Sequence, residues 1–176
     1  MKNETAKLIA EKIRNFRLPR FNEIPNVGFY LDQTTKYINS YLEPLGYLEV
    51  TSSMLSNYVK KGLVKNPVKK LYYREQIAYF IFITIAKNFM TMDNIRLLID
   101  MQERSYTLPV AYDYVCIELE NMLFYTFGLK DNVDILGQTE SMEKDMLRSL
   151  VFSAATVIHM HACFDAIREE MIKENV

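Results

Sequence analysis

Hydrophobic positions recur along this chain with the 3.6-residue period of amphipathic helices, interrupted at a few sharp points. Ala6, Ile9, Ala10 and Ile13 share one face of a first helix over residues 4–16. Pro19 and Pro25 bracket an extended linker, because the residue before a proline is pushed out of the helical region. Leu31, Thr34, Tyr37, Ile38, Tyr41 and Leu42 line a second helix, which Pro44 and Gly46 stop. The third helix, residues 52–61, has defined ends. Thr51 can accept a hydrogen bond from a first-turn amide, Val50 and Leu55 can form a hydrophobic staple, and Gly62 provides the left-handed stop.

Residues 64–73, VKNPVKKLYY, are too polar and proline-broken for a helix and can form a short β-wing. The run IAYFIFITIA that follows is apolar on every side. Its periodicity alone does not separate a buried strand from a helix, but its length favours a helix over 74–89. Thr91 can cap a fifth helix carrying Ile95, Leu98 and Ile99. Pro109 suits the first turn of a sixth, dense in aromatics, which ends at Gly128. A last helix over 141–173 is long for a globular protein, with Met142, Met146, Leu150, Val157, Phe164 and Met171 at steps of 3, 4 or 7.

These elements predict an all-α fold in which a small β-wing is the one non-helical feature. Residues 1–29 form an N-terminal helix and linker, 30–104 a module of short helices with the wing, and 105–176 an acidic helical domain whose long last helix suits dimerisation and whose aromatics could serve sensing. Composition agrees with this outline. Hydrophobic residues are 49% and charged residues 24%, which excludes a disordered chain, and five Gly and five Pro are too few for a many-stranded barrel. Cys116 and Cys163 give no disulfide framework and read as reduced thiols. The charged N-terminus lacks the apolar core of an export signal, and the greasiest run, Ile77 to Ala86, is about half the length of a bilayer span. A soluble, cytoplasmic protein without a membrane segment is expected.

Charge changes the picture more than composition does. The net charge is −1, but residues 1–99 carry +7 (15 Lys/Arg against 8 Asp/Glu) and residues 100–176 carry −8 (6 against 14). The first half attracts a polyanion and the second repels one. Between Glu49 and Glu75 there is no acid, while Lys60, Lys61, Lys65, Lys69, Lys70 and Arg74 fall in that interval. Phosphate attraction dominates DNA affinity, so such a stretch suits a DNA backbone. Ser52, Ser53, Ser56 and Asn57 form a small polar face able to enter a major groove.

The stretch TSSMLSNYVKKGLVKNPVKKLYYREQIAYFIFITIAKNFMTMDNIRLLI resembles the DNA-binding domain of MerR regulators, through Tyr58, Gly62, Leu63, Tyr73, Glu75 and Ile95 to Leu98. The whole chain is more similar to an uncharacterised bacterial family of MerR-like proteins, known as a domain of unknown function. The resemblance implies a winged helix-turn-helix and a transcription regulator acting on duplex DNA. A homodimer with the last helix in the seam is expected, because the apolar stripe of that helix is too long for one short neighbour to cover and groove readers usually work as symmetric pairs. Ser52, Ser53 and Asn57 would face bases, and Tyr58, Lys60, Lys61, Lys69, Lys70 and Tyr72 would hold phosphates. The competing reading is a winged-helix module that contacts a partner regulator and does not bind DNA.

Other candidate chemistry is thin. His159 and Cys163 share a helical face, at i and i+4, but a metal site needs three or four ligands, so no metal or cofactor is expected. The aromatics of the sixth helix read as core, as a dimer seam, or as the lining of a small-molecule effector pocket in the C-terminal domain. No phosphate loop, nucleophile motif or metalloprotease signature is present, which argues against an enzyme.

Overall fold

The computed structural model describes residues 3–137 and 141–174. These residues form seven α-helices: α1 (Asn3–Ile13), α2 (Leu31–Leu42), α3 (Ser52–Lys60), α4 (Arg74–Ala86), α5 (Met92–Ser105), α6 (Leu108–Thr126) and α7 (Met142–Glu174). Short 3-10 turns cover Phe21–Glu23 and Glu43–Leu45. The expected all-α fold with a long last helix is present.

The predicted stops work through local chemistry. Met54 N donates to Thr51 Oγ1 (3.2 Å) and Asn94 N to Thr91 Oγ1 (3.3 Å), capping α3 and α5. Val50 and Leu55 are both buried, as a staple requires. Gly62 sits at φ +71°, Gly62 N donates to Val59 O (2.8 Å) and Leu63 N to Tyr58 O (3.0 Å). That pair of bonds is a Schellman motif, and it satisfies the last carbonyls of α3. Two other helices end earlier than expected: α1 stops at Ile13 and not at 16, and α4 at Ala86 and not at 89.

α4 is the central element. Ile77, Ala78, Phe80, Ile81, Ile83, Ile85 and Ala86 are buried around its whole circumference, which is why its sequence shows no polar face. Its buried threonine hydroxyl is satisfied within the helix, Thr84 Oγ1 donating to Phe80 O (2.7 Å). The buried apolar side chains form one continuous cluster from Ile9 in α1 to Ile158 in α7. The core therefore passes through both expected boundaries, at 29/30 and 104/105.

Buried polar groups tie the N-terminal linker into that core. Glu120 on α6 accepts from Arg20 Nη1 (2.7 Å) and Nη2 (2.6 Å) and from Leu18 N (2.9 Å). Glu118, fully buried on the same helix, meets Arg148 of α7 at 3.2 Å and accepts from the Tyr114 hydroxyl (2.9 Å). A buried carboxylate needs such partners, since an unpaired one is strongly destabilising.

The helix that comes nearest to a membrane span is α7 and not the apolar run of α4. By length and composition α7 could cross a bilayer: its best 18-residue stretch has a mean hydropathy of 1.5 and is only 28% buried. The inner face buries Leu150, Val151, Ala154, Ala155 and Ile158, while Phe152, Met160, Phe164 and Ile167 stand exposed on the outer one.

Candidate nucleic-acid interface

The basic stretch lies on α3 and on the connection to α4. α2 supports α3 through an amide clamp: Asn39 Nδ2 donates to Val50 O and Val50 N to Asn39 Oδ1, both at 2.9 Å. This two-way bond fixes the connection between the helices just ahead of the Thr51 cap. Leu55 and Tyr58 point inward from α3. Ser53, Ser56, Asn57, Lys60 and Lys61 are exposed and recur at helical spacing, so they form one outward stripe. Among the described residues the side chains of Ser53, Ser56 and Asn57 make no hydrogen bond, which leaves them open to a ligand.

Ser52 does not belong to that stripe. It was expected to face bases, but its hydroxyl donates to Asp32 Oδ1 (2.9 Å) and lies 3.1 Å from Thr35 Oγ1, so it joins α3 to the start of α2. Asp32 also brings a carboxylate to the N-terminus of α3, in space though not in sequence. The acid-free interval of the chain is therefore not an acid-free surface.

The expected β-wing carries no strand. Residues 64–73 form a loop with two isolated bridged pairs, Val68 with Leu71 and Phe29 with Tyr72. Val68 N donates to Leu71 O (3.0 Å) and Leu71 N to Val68 O (2.9 Å), closing a two-residue hairpin turn. Lys69 (φ +50°) and Lys70 (φ +67°) occupy its tip, both exposed and both left-handed. That is the φ pattern of a type I′ turn, normally filled by Asn-Gly, and each lysine there costs about 1–2 kcal/mol.

Three groups hold this turn in place. Gln76, buried at the start of α4, donates to Lys65 O (3.1 Å) and Asn66 O (3.0 Å) and accepts from Tyr73 N (2.8 Å). Phe29 and Tyr72 exchange backbone hydrogen bonds of 2.9 and 2.8 Å, which seats the loop against the residues ahead of α2. At Gly28 the backbone passes so close that an added Cβ would fall 2.7 Å from Leu71 Cβ. Only glycine fits there.

Two tyrosines expected at phosphates are core residues. Tyr58 is 2% exposed and Tyr72 5%. Both rings pack on Phe80 of α4, with centroids 6.5 and 5.4 Å away. The Tyr58 hydroxyl is sealed inside the protein, and the Tyr72 ring is held in the core by Phe80. Burial pushes the Tyr58 hydroxyl up to about 12, and it finds no hydrogen-bond partner. Tyr58→Phe should therefore raise stability by about 1 kcal/mol, because it removes an unsatisfied buried hydroxyl. Chemical denaturation of the two proteins checks this. A loss of about 1 kcal/mol would mean that the hydroxyl is bonded in the folded state, with Thr84 as its neighbour.

The basic groups divide likewise. Arg74 donates to Ile24 O (2.6 Å) and Asn22 O (3.3 Å) and covers the Phe21 ring at 5.7 Å, so it fastens the N-terminal linker. Arg96 of α5 reaches the carbonyls of Lys61 and Gly62 at the end of α3. Neither role was visible in the sequence. Lys60, Lys61, Lys65 and the turn pair Lys69 and Lys70 are all exposed, and their ammonium groups are open to solvent.

On α7, Cys163 Sγ lies 3.7 Å from His159 Nε2, and His161 stacks on Tyr47 at 4.0 Å. His159 meets Phe127 edge-on, and burial lowers its pKa. Among the described residues no three His, Cys, Asp or Glu side chains gather as a metal site would require.

Residues 19–115, more than half of the chain, match the family model described as a domain of unknown function, DUF1836. The chain belongs to that family. The matched span runs from the linker through α2, α3, the lysine turn, α4 and α5 into α6, so it contains every group of the basic face described above. No curated protein and no solved structure gives a significant match.

Proposed function

We propose that this protein binds duplex DNA as a transcription regulator, through a winged helix-turn-helix of the MerR type. In this reading α2 and α3 are the helix pair and the Val68–Leu71 turn is a minimal wing. Ser53, Ser56 and Asn57 meet base edges, while Lys60, Lys61, Lys69 and Lys70 meet phosphates. The observation that carries the reading is the turn itself. Two exposed lysines occupy left-handed positions where Asn-Gly would be more stable, and strain of this kind concentrates at functional sites. The pinned base formed by Gln76, Phe29 and Tyr72 aims both ammonium groups to the outside of the molecule.

Selection from random duplex DNA with the purified protein tests this. A recovered consensus, bound with a steep salt dependence, supports it. Uniform recovery with no affinity above background at low salt overturns it.

A second reading has one observation in its favour. Val27, Tyr30 and Val68 are exposed beside the lysine turn, and apolar groups suit a protein partner better than a phosphate backbone. A module that contacts a partner regulator need not be retained on heparin. Salt-sensitive retention on heparin therefore separates the two readings.

The chain acts as a homodimer, with α7 in the seam and in the cytoplasm. Phe152, Met160, Phe164 and Ile167 form an outward stripe on a helix whose other face is already buried, and groove readers work as symmetric pairs. Light scattering without detergent should give twice 20.7 kDa at micromolar concentration. A 20.7 kDa monomer would refute the seam, and recovery of the protein only in detergent would point to lipid as the partner of α7.

A further inference from the structure

Asp32, in the first turn of α2, brings its carboxylate against the first turn of α3. Oδ1 accepts from the Ser52 hydroxyl (2.9 Å), and the residue is exposed, so Oδ2 is open to the outside. Among the described residues no Lys or Arg pairs with it. The opposite flank of α3 carries the other sign, since Lys87 Nζ stands 3.8 Å from Met54 Sδ and Lys61 follows Met54 at i+7.

The positive starts of α2 and α3 favour a negative charge at this spot. For a DNA-binding face, however, an unpaired acid weakens the attraction to every phosphate, whatever the sequence. Its use lies in discrimination. A carboxylate accepts hydrogen bonds and cannot donate them, so in a major groove it suits an amino hydrogen and is repelled by acceptors. Cytosine presents its N4 amino group there, guanine the acceptors N7 and O6, and thymine the acceptor O4. Adenine sets its N7 acceptor beside its N6 amino group. The hydroxyls of Ser53 and Ser56 both donate and accept, so they tolerate any base edge. Asp32 is the neighbouring group that can exclude a base by repulsion.

We infer that Asp32, aimed by Ser52, selects cytosine at one position of the bound sequence per chain, its Oδ2 accepting from the cytosine N4 amino group. This rests on the DNA reading above and adds a base preference to it. Ser52 is then a positioning residue: its bond holds the carboxylate at the first turn of α3, the turn that meets base edges in groove readers.

Selection from random duplex DNA with the wild type and with Asp32→Asn, followed by titrations on the recovered site and on random duplex, tests the inference. The wild-type consensus should contain a cytosine whose exchange for guanine costs about tenfold in affinity. In Asp32→Asn that cost should fall below about threefold with the other positions unchanged, because an amide also donates to guanine acceptors. Random duplex should bind this variant about two- to threefold more tightly, since one negative charge has left the face. Ser52→Ala keeps the charge but frees the carboxylate, so the cytosine preference should weaken while affinity for random duplex holds. Circular dichroism and thermal melting establish that each variant folds, and Ser52→Ala carries the test if Asp32→Asn does not. An unchanged cytosine preference in a folded variant overturns the role of Asp32, as does a wild-type consensus without such a cytosine. Equal loss of affinity on all sequences overturns it too, leaving Asp32 a support for the helix ends. A wild-type protein that recovers no consensus overturns the DNA reading itself and this inference with it.

Discussion

Replacing Lys69-Lys70 by Asn-Gly is expected to make the protein more stable and a poorer DNA binder at once. The turn demands φ of +50° and +67° at these positions, and Asn and Gly adopt such values with much less strain than lysine. Strain of about 1–2 kcal/mol at each lysine is relieved, offset in part by the unfolded-state freedom of glycine and the residual strain of asparagine. The gain should therefore be about 1–2 kcal/mol in chemical denaturation, with no change in m-value because the turn keeps its shape. Binding should fall alike on every sequence. Each lysine at a phosphate releases counterions, so the log–log salt slope should flatten by roughly 0.9 for every phosphate that is no longer neutralised. Asn57→Ala is the contrast. Its amide carries no net charge and lies on the outward stripe of α3, so the slope should hold. Affinity should drop by about 1–3 kcal/mol per site on the preferred sequence alone. If the Asn-Gly variant gains stability and binds DNA as tightly as the wild type, the strained turn serves something other than phosphate, and the protein-contact reading takes the lead.

Helix ends were legible because their determinants lie within a few residues of one another. The Thr51 hydroxyl and the Met54 amide, the Pro44 and Gly46 stop after α2, and the left-handed Gly62 and Gly128 can each be read from a short window. What joins the elements was not legible. Asn39 clamps Val50 eleven positions on, Gln76 reaches back to Lys65, and Arg74 fastens Ile24 fifty positions away. None of these pairings has a period, so hydrophobic patterning carries no trace of them. The same limit explains the corrected site residues. Tyr58 and Tyr72 sit among lysines in sequence, and a tyrosine can be either a polar contact or a core ring. Only Phe80, brought between them by α4, decides for the core. Ser52 was read as open for the same reason, since its partner Asp32 is twenty positions away.

That shared ring makes Phe80→Ala the substitution with the largest expected effect on stability. Phe80 is fully buried, and both Tyr58 of α3 and Tyr72 beside the lysine turn pack their rings on it. Truncation removes its apolar surface from the core and leaves a cavity, which for Phe→Ala costs about 3–5 kcal/mol. The edge-on contact with Tyr72 adds part of a further ~0.5–1.5 kcal/mol, short of full additivity because the two tyrosines can close partly on the gap. Domains are stable by only about 5–15 kcal/mol, so the variant should melt far below the wild type. Phe80→Leu keeps most of the volume and should cost about 1–2 kcal/mol, which separates packing from any special need for a ring. The effect on DNA should follow from the same geometry. Below its own melting point the Ala variant should bind more weakly to all sequences, because α3 and the turn no longer share the support that fixes their spacing. Urea denaturation of the three proteins and a binding titration at low temperature measure both consequences. A cost below about 1 kcal/mol for Phe80→Ala would mean that α3 and the turn are not held against α4 through this ring.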